Sequence, residues 1–258
     1  MEAIEHPKDR GYNVFLSDSH VPVFPGPCPR YDRFLSFLAS MDPAPDHLFL
    51  LGDIFEFWYE YETVIFVSHF PLLHRLACLK ERGTRIHLVT GNHDFWAGPQ
   101  FQSLLSATLS YDTEDLFLSE RRVFLCHGDG FAPEDGWYRL FRRILRSGFA
   151  MWCMGRCPPG LGARIADRLS KYTRSRSRKS DDKDHKALKK LAAKKIGDGV
   201  DIFLCAHLHS PEIEEIHSNG NTGLFLNLGD WWEHDTYVVE RRGIYSLHWD
   251  GKDDRPWC

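Results

Sequence analysis

The chain has 258 residues, of which 43% are hydrophobic and 26% are charged. This length and composition fit one large α/β domain, or such a domain with an insertion, and supply enough apolar residues for a core. The sequence holds no run of about 18 apolar residues, so it predicts no transmembrane helix.

The N-terminus and the cysteines indicate the compartment in which the protein works. Residues 1–5 lack the basic start and the apolar stretch of a secretory signal. The seven cysteines are an odd number and include no Cys-x-x-Cys pair. We therefore expect a reducing cytoplasm and no disulfide framework.

The formal net charge of −4 hides an uneven distribution of charge along the chain. Residues 137–195 hold 18 basic and 4 acidic residues, whereas the remainder holds 14 basic and 32 acidic residues. A local excess of this kind indicates a region that meets an anionic partner.

In chain order, short apolar runs are typical of buried strands. Five such runs end in polar side chains, and they are residues 14–16, 48–51, 86–90, 123–126 and 202–205. Helical periodicity predicts a helix over 31–39 and another over most of 63–80, with Pro71 marking a break or a new first turn. Three later runs, 224–226, 236–239 and 244–247, predict a closing meander.

The spacing of the polar strand ends predicts the domain organisation. Successive ends are separated by 35, 39, 35 and 80 residues. Each of the first three intervals is long enough for one strand and one crossover helix. The fourth is more than twice as long, and its excess coincides with the basic stretch. We therefore predict a core of residues 1–130 and 199–258, interrupted by a helical insertion over 131–198.

The side chains at these strand ends offer carboxylate, amide and imidazole groups without a thiolate. They are Asp18, His20, Asp53, Asn92, His127, His207 and His209. Open α/β sheets bind their ligands at this edge. The donor set suits divalent ions, of which we expect Mn²⁺, with Fe²⁺ or Zn²⁺ as alternatives. Seven ligands that include one bridging carboxylate would fill two sites and hold a phosphate between two ions.

The tetrapeptide 91–94, Gly-Asn-His-Asp, is by itself typical of a tight turn. Its position after a predicted strand, together with matching chemistry at four other strand ends, favours an active site. His93 is not needed as a ligand, so we expect it to act as the acid for a leaving oxygen, with Asp94 orienting its ring. His207 and His209 are two residues apart, and on a strand they would face the same way.

The order of these motifs resembles that of the calcineurin-like metallophosphoesterase superfamily. The resemblance implies an α/β-β/α sandwich with an inserted helical cap. It also implies that Asp53 bridges two metal ions and that His93 protonates the leaving group with Asp94 behind it. One ion would then take Asp18, His20, Asp53 and His209, and the other Asp53, Asn92, His127 and His207. Ala206 stands where this family usually has glycine, which matters only if the backbone there needs a positive φ.

Longer motifs at 51–58, 91–96, 127–130 and 227–231 resemble the UDP-2,3-diacylglucosamine pyrophosphatases of lipid A synthesis. The resemblance covers nearly the whole chain. It implies hydrolysis of UDP-2,3-diacylglucosamine to UMP and 2,3-diacylglucosamine 1-phosphate, with the acyl chains bound by the insertion. The substrate contacts that it implies are Asn92, His93, Asp135, Tyr138, Phe141, Lys171 and Arg174.

Three alternatives remain open at this point. The motifs also suit a phosphoesterase that acts on nucleotides or proteins, and a non-catalytic scaffold of the same fold, although a scaffold would be expected to have lost ligands. A nuclease is the third, since the basic run 174–179 could neutralise phosphates. The insertion combines aliphatic and aromatic residues with positive charge, which suits an amphiphile. We therefore expect neither a nucleic-acid nor a protein partner.

An apolar stripe in the insertion suggests where the protein meets a lipid substrate. Apolar residues recur at three- and four-residue spacing over 137–145, flanked by arginines that include Arg142 and Arg146. We expect an amphipathic helix that attaches peripherally to the anionic inner-membrane surface. The alternative is that the stripe packs against a second helix near 161–169.

Overall fold

The computed structural model describes residues 11–131, 136–165, 167–168 and 181–250. Two β-sheets pack face to face, and helices cover the outer surface of each. This architecture confirms the predicted α/β-β/α sandwich.

The first sheet is mostly parallel. Its strands are β1 (Asn13–Leu16), β2 (His47–Leu50), β3 (Arg85–Thr90), β4 (Thr108–Tyr111), β10 (Thr236–Arg241) and β11 (Ile244–Trp249). The order is β11-β10-β1-β2-β3-β4, with β1 to β4 parallel and β10 and β11 antiparallel. Parallel neighbours need crossover connections, which contain α1 (Pro29–Ser40), α2 (Phe70–Glu81) and α3 (Pro99–Leu105).

The second sheet has five strands, three of them parallel. They are β5 (Thr113–Leu118), β6 (Arg121–Cys126), β7 (Ile202–Cys205), β8 (Glu212–Ser218) and β9 (Asn221–Asn227). The order is β5-β6-β7-β9-β8, in which β5 and β8 are antiparallel edge strands.

Each central strand contributes to two apolar layers because successive side chains point to opposite faces. In β1, Val14 and Leu16 pack in the cluster that contains α1 and α2, whereas Phe15 lies between the sheets. The rings of Phe15 and Phe49 stack there with centroids 4.7 Å apart. Strands that are buried on both faces read as continuous apolar runs, which is why the sequence predicted them.

The described residues between β6 and β7 are mostly helical, and the insertion over 131–198 stays a prediction. It contains α4 (Gly136–Leu145), α5 (Gly148–Arg156), a further helix α6 over 159–165, and α7 (Asp181–Gly197). Leu188 and Ala192 of α7 pack with Phe203 and Phe225, so α7 forms the outer layer of the second sheet. Helices α4, α5 and α6 together form the cap.

The cap packs on aromatic residues of the core. Trp96 shares an apolar cluster with Ala163, Leu145 and Met154. The Tyr59 hydroxyl donates a hydrogen bond to the Met151 carbonyl at 2.6 Å. These contacts fix α5 and α6 against the segments that follow β2 and β3.

The helix predicted over most of 63–80 is present as α2, with Pro71 in a new first turn, whereas the predicted closing meander is wrong. Residues 63–66 are not helical, and a 3₁₀ turn over Val67–His69 precedes α2. Pro71 lies in the first turn of α2, where its missing N–H is not needed. The final three strands form no single meander, because β9 belongs to the second sheet and β10 and β11 to the first. Strands β4, β5 and β8 were not predicted; each is an edge strand, and edge strands carry polar and charged residues.

Candidate metal centre

The loops that follow five strands meet at one edge of the sandwich. The loops after β1 and β2 run side by side, with Asp18 N–H donating to the Gly52 carbonyl at 3.1 Å and His20 N–H to the Asp53 carbonyl at 3.0 Å. The loops after β6 and β7 are joined by the Ala206 N–H, which donates to the His127 carbonyl at 2.8 Å. The parallel strands thus bring together residues that are far apart in sequence.

Five of the seven predicted ligands have a strained backbone conformation. Twelve described residues other than glycine have a positive φ, and seven of them lie in turns or at a helix end. The other five are predicted ligands, with φ values of 50° at Asp18, 43° at His20, 52° at Asp53, 69° at His207 and 53° at His209. Such conformations cost about 1–3 kcal/mol each and cluster at functional sites. This pattern favours a binding role for these loops over ordinary turns.

Two glycines allow the loops to approach each other closely. A Cβ at Gly52, where φ is +78°, would lie 2.6 Å from Gly91 N and 2.7 Å from His127 Nδ1. A Cβ at Gly91 would lie 2.7 Å from Asp53 N and would collide with the Asp53 carboxylate. The glycines of the Gly-Asp and Gly-Asn motifs are therefore required by the packing around Asp53.

Asp53 lies at the centre of the cluster. Its Oδ1 accepts a hydrogen bond from His93 N–H at 2.9 Å, and its Oδ2 lies 3.4 Å from His127 Nε2 and 3.7 Å from His93 Nε2. Three groups of residues have ligand atoms that all lie within 4.8 Å of one another, and Asp53 belongs to two of them. The groups are Asp18, His20 and His209; His20, Asp53 and His93; and Asp18, Asp53 and His127.

Asn92 Oδ1 is buried without a hydrogen-bond partner among the described residues. His127 Nε2 is also buried, and it lies 3.4 Å from Asp53 Oδ2 without a hydrogen bond of good geometry. The other ring nitrogen of His127, Nδ1, lies 2.8 Å from the Leu51 carbonyl, an arrangement typical of metal-binding histidines. A buried polar atom that lacks a partner costs about 1–3 kcal/mol. A bound cation would satisfy both atoms, so the donors fit a metal site.

The electrostatics of the cluster also suit a cation. Burial opposes charge on Asp53, but the neighbouring His127 and His93 imidazoles hold the pKa of its carboxyl well below the usual value. Burial likewise opposes charge on His127, but the carboxylates of Asp53 and Asp18 raise the pKa of its imidazole well above the usual value. Two buried carboxylates thus demand positive charge at this edge, which bound divalent ions would supply.

The structure corrects the contact predicted between Asp94 and His93. Both Asp94 oxygens accept backbone hydrogen bonds, from Ile54 N–H at 2.9 Å and Gly91 N–H at 2.7 Å. The His93 ring is oriented instead by the Glu56 carbonyl, which lies 2.9 Å from Nδ1. Burial, together with the charge of Asp53, raises the pKa of Asp94 to about 6. Asp94 therefore stabilises the ligand loops and does not touch the imidazole.

The histidine pair after β7 does not lie on a strand, so the predicted reason for its alignment is wrong. β7 ends at Cys205, and both histidines follow in a loop. His209 Nε2 is nevertheless 3.2 Å from Asp18 Oδ1, and the His207 ring centroid is 5.1 Å from that of His127. Ala206 has no positive φ, so alanine fits in place of glycine.

Sequence reasoning missed two acidic residues that contact predicted ligands. Asp230 is fully buried, and its Oδ2 lies 3.5 Å from His209 Nδ1. Glu56 Oε2 lies 3.6 Å from His20 Nδ1. Both residues belong to motifs that carried the family resemblance, but nothing in the sequence indicated which histidine each would face.

The structure describes the side chains of only two of the predicted substrate contacts, Asn92 and His93. Asp135, Lys171 and Arg174 lie outside the described residues. Tyr138 and Phe141 belong to α4, but their side chains also lie outside what the structure describes. Asn92 and His93 are at the cluster. The role of the cap residues in substrate binding stays a prediction.

Two arginines that were predicted to face anionic lipid pair with the core instead. Arg142 Nη1 lies 2.6 Å from Asp129 Oδ2, and its Nη2 pairs with Asp112 Oδ1. Arg146 Nη1 lies 2.5 Å from the same Asp112 oxygen. Two carboxylates next to the cap, the buried Asp129 and the partly exposed Asp112, explain the difference, because they compete with lipid phosphates for these guanidinium groups.

Comparison with known proteins gives consistent results. Residues 14–211 match the calcineurin-like phosphoesterase family. A UDP-2,3-diacylglucosamine hydrolase of Ectopseudomonas mendocina is 29% identical over 220 residues, which cover 85% of this chain and 87% of the relative. The enzyme of the same name from Pseudomonas aeruginosa is 29% identical over 219 residues, covering 84% and 90%. A phosphoesterase structure from E. coli aligns with a TM-score of 0.46 and 17% identity over 91% of each chain.

Replacing Gly91 by alanine tests the packing of the cluster. The added methyl group would push the Asp53 carboxylate away from its neighbours, so divalent-cation affinity should fall by about 10- to 100-fold, as for other changes that displace a ligand. Isothermal titration of metal-free protein with Mn²⁺ measures the effect. Gly26→Ala is the matched control, since a Cβ there meets nothing within 4 Å. Equal affinity in the Gly91→Ala and Gly26→Ala variants would contradict the argument.

Proposed function

The chain belongs to the calcineurin-like phosphoesterase family, and from this premise we propose that it hydrolyses the diphosphate of UDP-2,3-diacylglucosamine, giving UMP and 2,3-diacylglucosamine 1-phosphate. The observation that carries the proposal is the convergence of predicted ligands around Asp53, next to a cap with exposed apolar side chains. The relatives named for this activity span most of the chain, which supports the same substrate.

The family implies a site for two divalent metal ions, and the residues of the cluster fit it. In our proposal one ion is held by Asp18, His20 and His209, the other by Asn92, His127 and His207, and Asp53 is shared. Oxygen and imidazole donors without a thiolate favour Mn²⁺, with Fe²⁺ or Zn²⁺ as alternatives. When bound, the two ions activate a water molecule and neutralise charge on the diphosphate.

His93 is the residue that we propose to act on the leaving oxygen. The Glu56 carbonyl, 2.9 Å from Nδ1, fixes the ring so that Nε2 faces the cluster. The side chain is 11% exposed, which leaves it open toward a bound substrate. A proton on Nε2 can then pass to the lipid 1-phosphate oxygen as its bond to the α-phosphorus breaks.

Removal of the His93 imidazole should affect the chemical step more than binding. We expect His93→Ala to lower kcat by about 10²–10⁴ with little change in KM. Steady-state kinetics with the lipid substrate measures both constants. His74→Ala, which removes an exposed histidine from α2, is the control and should behave as wild type. An unchanged kcat in His93→Ala would show that His93 does not act in the chemical step.

The apolar surface of the cap suits a two-chain lipid. The cap contributes seven of the large hydrophobic residues that are exposed, and a surface of this kind marks a ligand or membrane contact. They are Leu140, Ile144, Phe149, Met151, Trp152, Leu161 and Ile165. A nucleotide has no apolar group of matching size, so these residues favour a lipid substrate.

Isotope labelling tests both the substrate and the bond that breaks. Hydrolysis in ¹⁸O-labelled water should place the label on UMP, since we propose attack at the α-phosphorus. Mass spectrometry of both products measures the label. Faster turnover of a cyclic nucleotide or a phosphopeptide than of the UDP-linked lipid would overturn the substrate assignment.

We also propose that the cap attaches the protein reversibly to an anionic membrane surface. Within the described residues, no helix is long and apolar enough to cross a bilayer. Phe149 is 76% exposed and Trp152 is 55% exposed. The guanidinium of Arg156 lies over the Trp152 ring at 4.5 Å, and this arrangement suits the headgroup region.

Vesicle flotation tests the membrane contact. Wild-type protein should float with vesicles that contain anionic phosphatidylglycerol at low salt, and the Phe149→Ser/Trp152→Ser variant should float less. Ile244→Ser is the control, because Ile244 is 73% exposed on β11, outside the cap. Equal flotation of all three proteins, or no flotation at low salt, would show that the cap does not bind the membrane and serves substrate binding alone.

A further inference from the structure

Helix α4 is attached to two of the loops that carry predicted ligands of the second ion, those of His127 and Asn92. Near its middle, Arg142 Nη1 contacts Asp129 through Oδ2 at 2.6 Å and through the backbone carbonyl at 3.2 Å. Asp129 follows His127 by two residues. At the end of α4, Trp96 Nε1–H donates to the Leu145 carbonyl at 3.0 Å, and Trp96 lies four residues after Asn92.

Arg142 also connects α4 to the core at a third point. Its Nη2 pairs with Asp112 in the turn between β4 and β5, where Arg146 also pairs at 2.5 Å. The guanidinium therefore spans two carboxylates, one in the turn between β4 and β5 and one in the loop after β6. The Arg142 side chain is 14% exposed and that of Asp129 is 4% exposed, so this pair is largely removed from solvent. Loss of one partner from such a pair leaves a buried charge uncompensated.

The loop that Arg142 contacts has little freedom to adjust. Gly128 has a φ of +124°, and a Cβ there would lie 3.1 Å from the Ala206 carbonyl oxygen and 3.2 Å from His207 Cβ. The position of Asp129 is therefore set by the ligand loops themselves. Because Arg142 binds Asp129, the position of Arg142 is tied to that of the loops that carry the predicted metal ligands.

From this geometry we propose that Arg142 is a positioning residue. It fixes the position of the cap relative to the loops that carry the predicted metal ligands. Through Asp129 and Asp112 it holds α4 across the ligand loops, so that a lipid bound by the cap presents its diphosphate to the metals. The kinetic consequence rests on the proposed function, whereas the anchoring of α4 does not.

Removal of the guanidinium should release α4 and impair use of the lipid. In Arg142→Ala, backbone amides of α4 should exchange faster by hydrogen–deuterium exchange. The kcat/KM for the lipid should fall by about 10- to 100-fold, mainly through KM, because a small displacement of a bound group costs this much. Hydrolysis of bis(p-nitrophenyl) phosphate, which is too small to need the cap, should fall far less. Metal content should stay at the wild-type value.

Three further variants separate positioning from general damage. Arg143→Ala removes an exposed guanidinium from the same helix and should leave both kinetics and exchange as in wild type. Arg142→Lys keeps the charge but lacks the fork that reaches two carboxylates, so it should restore activity in part. Asp112 lies in a turn and is 41% exposed. Asp112→Asn should therefore lower kcat/KM for the lipid less than Arg142→Ala does.

The outcomes distinguish this inference from the proposed function. Unchanged α4 exchange in Arg142→Ala, or equal effects in Arg143→Ala, would overturn the positioning role. A parallel loss for the lipid and the small phosphodiester, or loss of metal, would also overturn it, because Arg142 would then act on the ligands themselves. Failure of wild type to cleave the lipid would instead refute the proposed substrate, while the exchange experiment would still decide whether Arg142 anchors α4.

Discussion

Burial of negative charge at one edge of the sandwich is the constraint on which the site depends. Asp18 and Asp53 are 0% and 2% exposed. Both carboxylates lie within 4.8 Å of a ring nitrogen of His127. Isolated buried carboxylates are expensive, so positive charge must be supplied nearby. The imidazoles, the strained loops and the two close-approach glycines all serve to place donors around this charge. The fold positions the loops, and the charge decides what can bind there.

The sequence predicted those parts of the structure that depend on local pattern. Central strands are buried on both faces and read as apolar runs, and a polar residue at the end of such a run marks the ligand edge. Edge strands such as β8 were missed because their side chains face solvent and carry charge. The helix predicted within 63–80 begins only at Phe70, since an apolar stretch alone does not show where a helix begins.

Contacts that depend on tertiary structure were less predictable. Asp94 follows His93 directly, yet neighbouring side chains on a turn point apart, and its oxygens hold the backbone of Ile54 and Gly91. Arg142 looked like a surface arginine because its partners lie 13 and 30 residues away. Sequence spacing on a helix shows which face a residue occupies, but not what that face meets. The same limit explains why the acidic neighbours of the ligand histidines were not assigned.

In the proposed site, Asp53 is shared by two divalent ions. Metal analysis of active protein, combined with anomalous diffraction at the metal absorption edges, measures both the number and the position of the ions. We expect two ions per chain on either side of Asp53, and loss of both ions and of activity in Asp53→Ala. Fully active protein with one ion or none, or an Asp53→Ala variant that keeps two, would contradict the account.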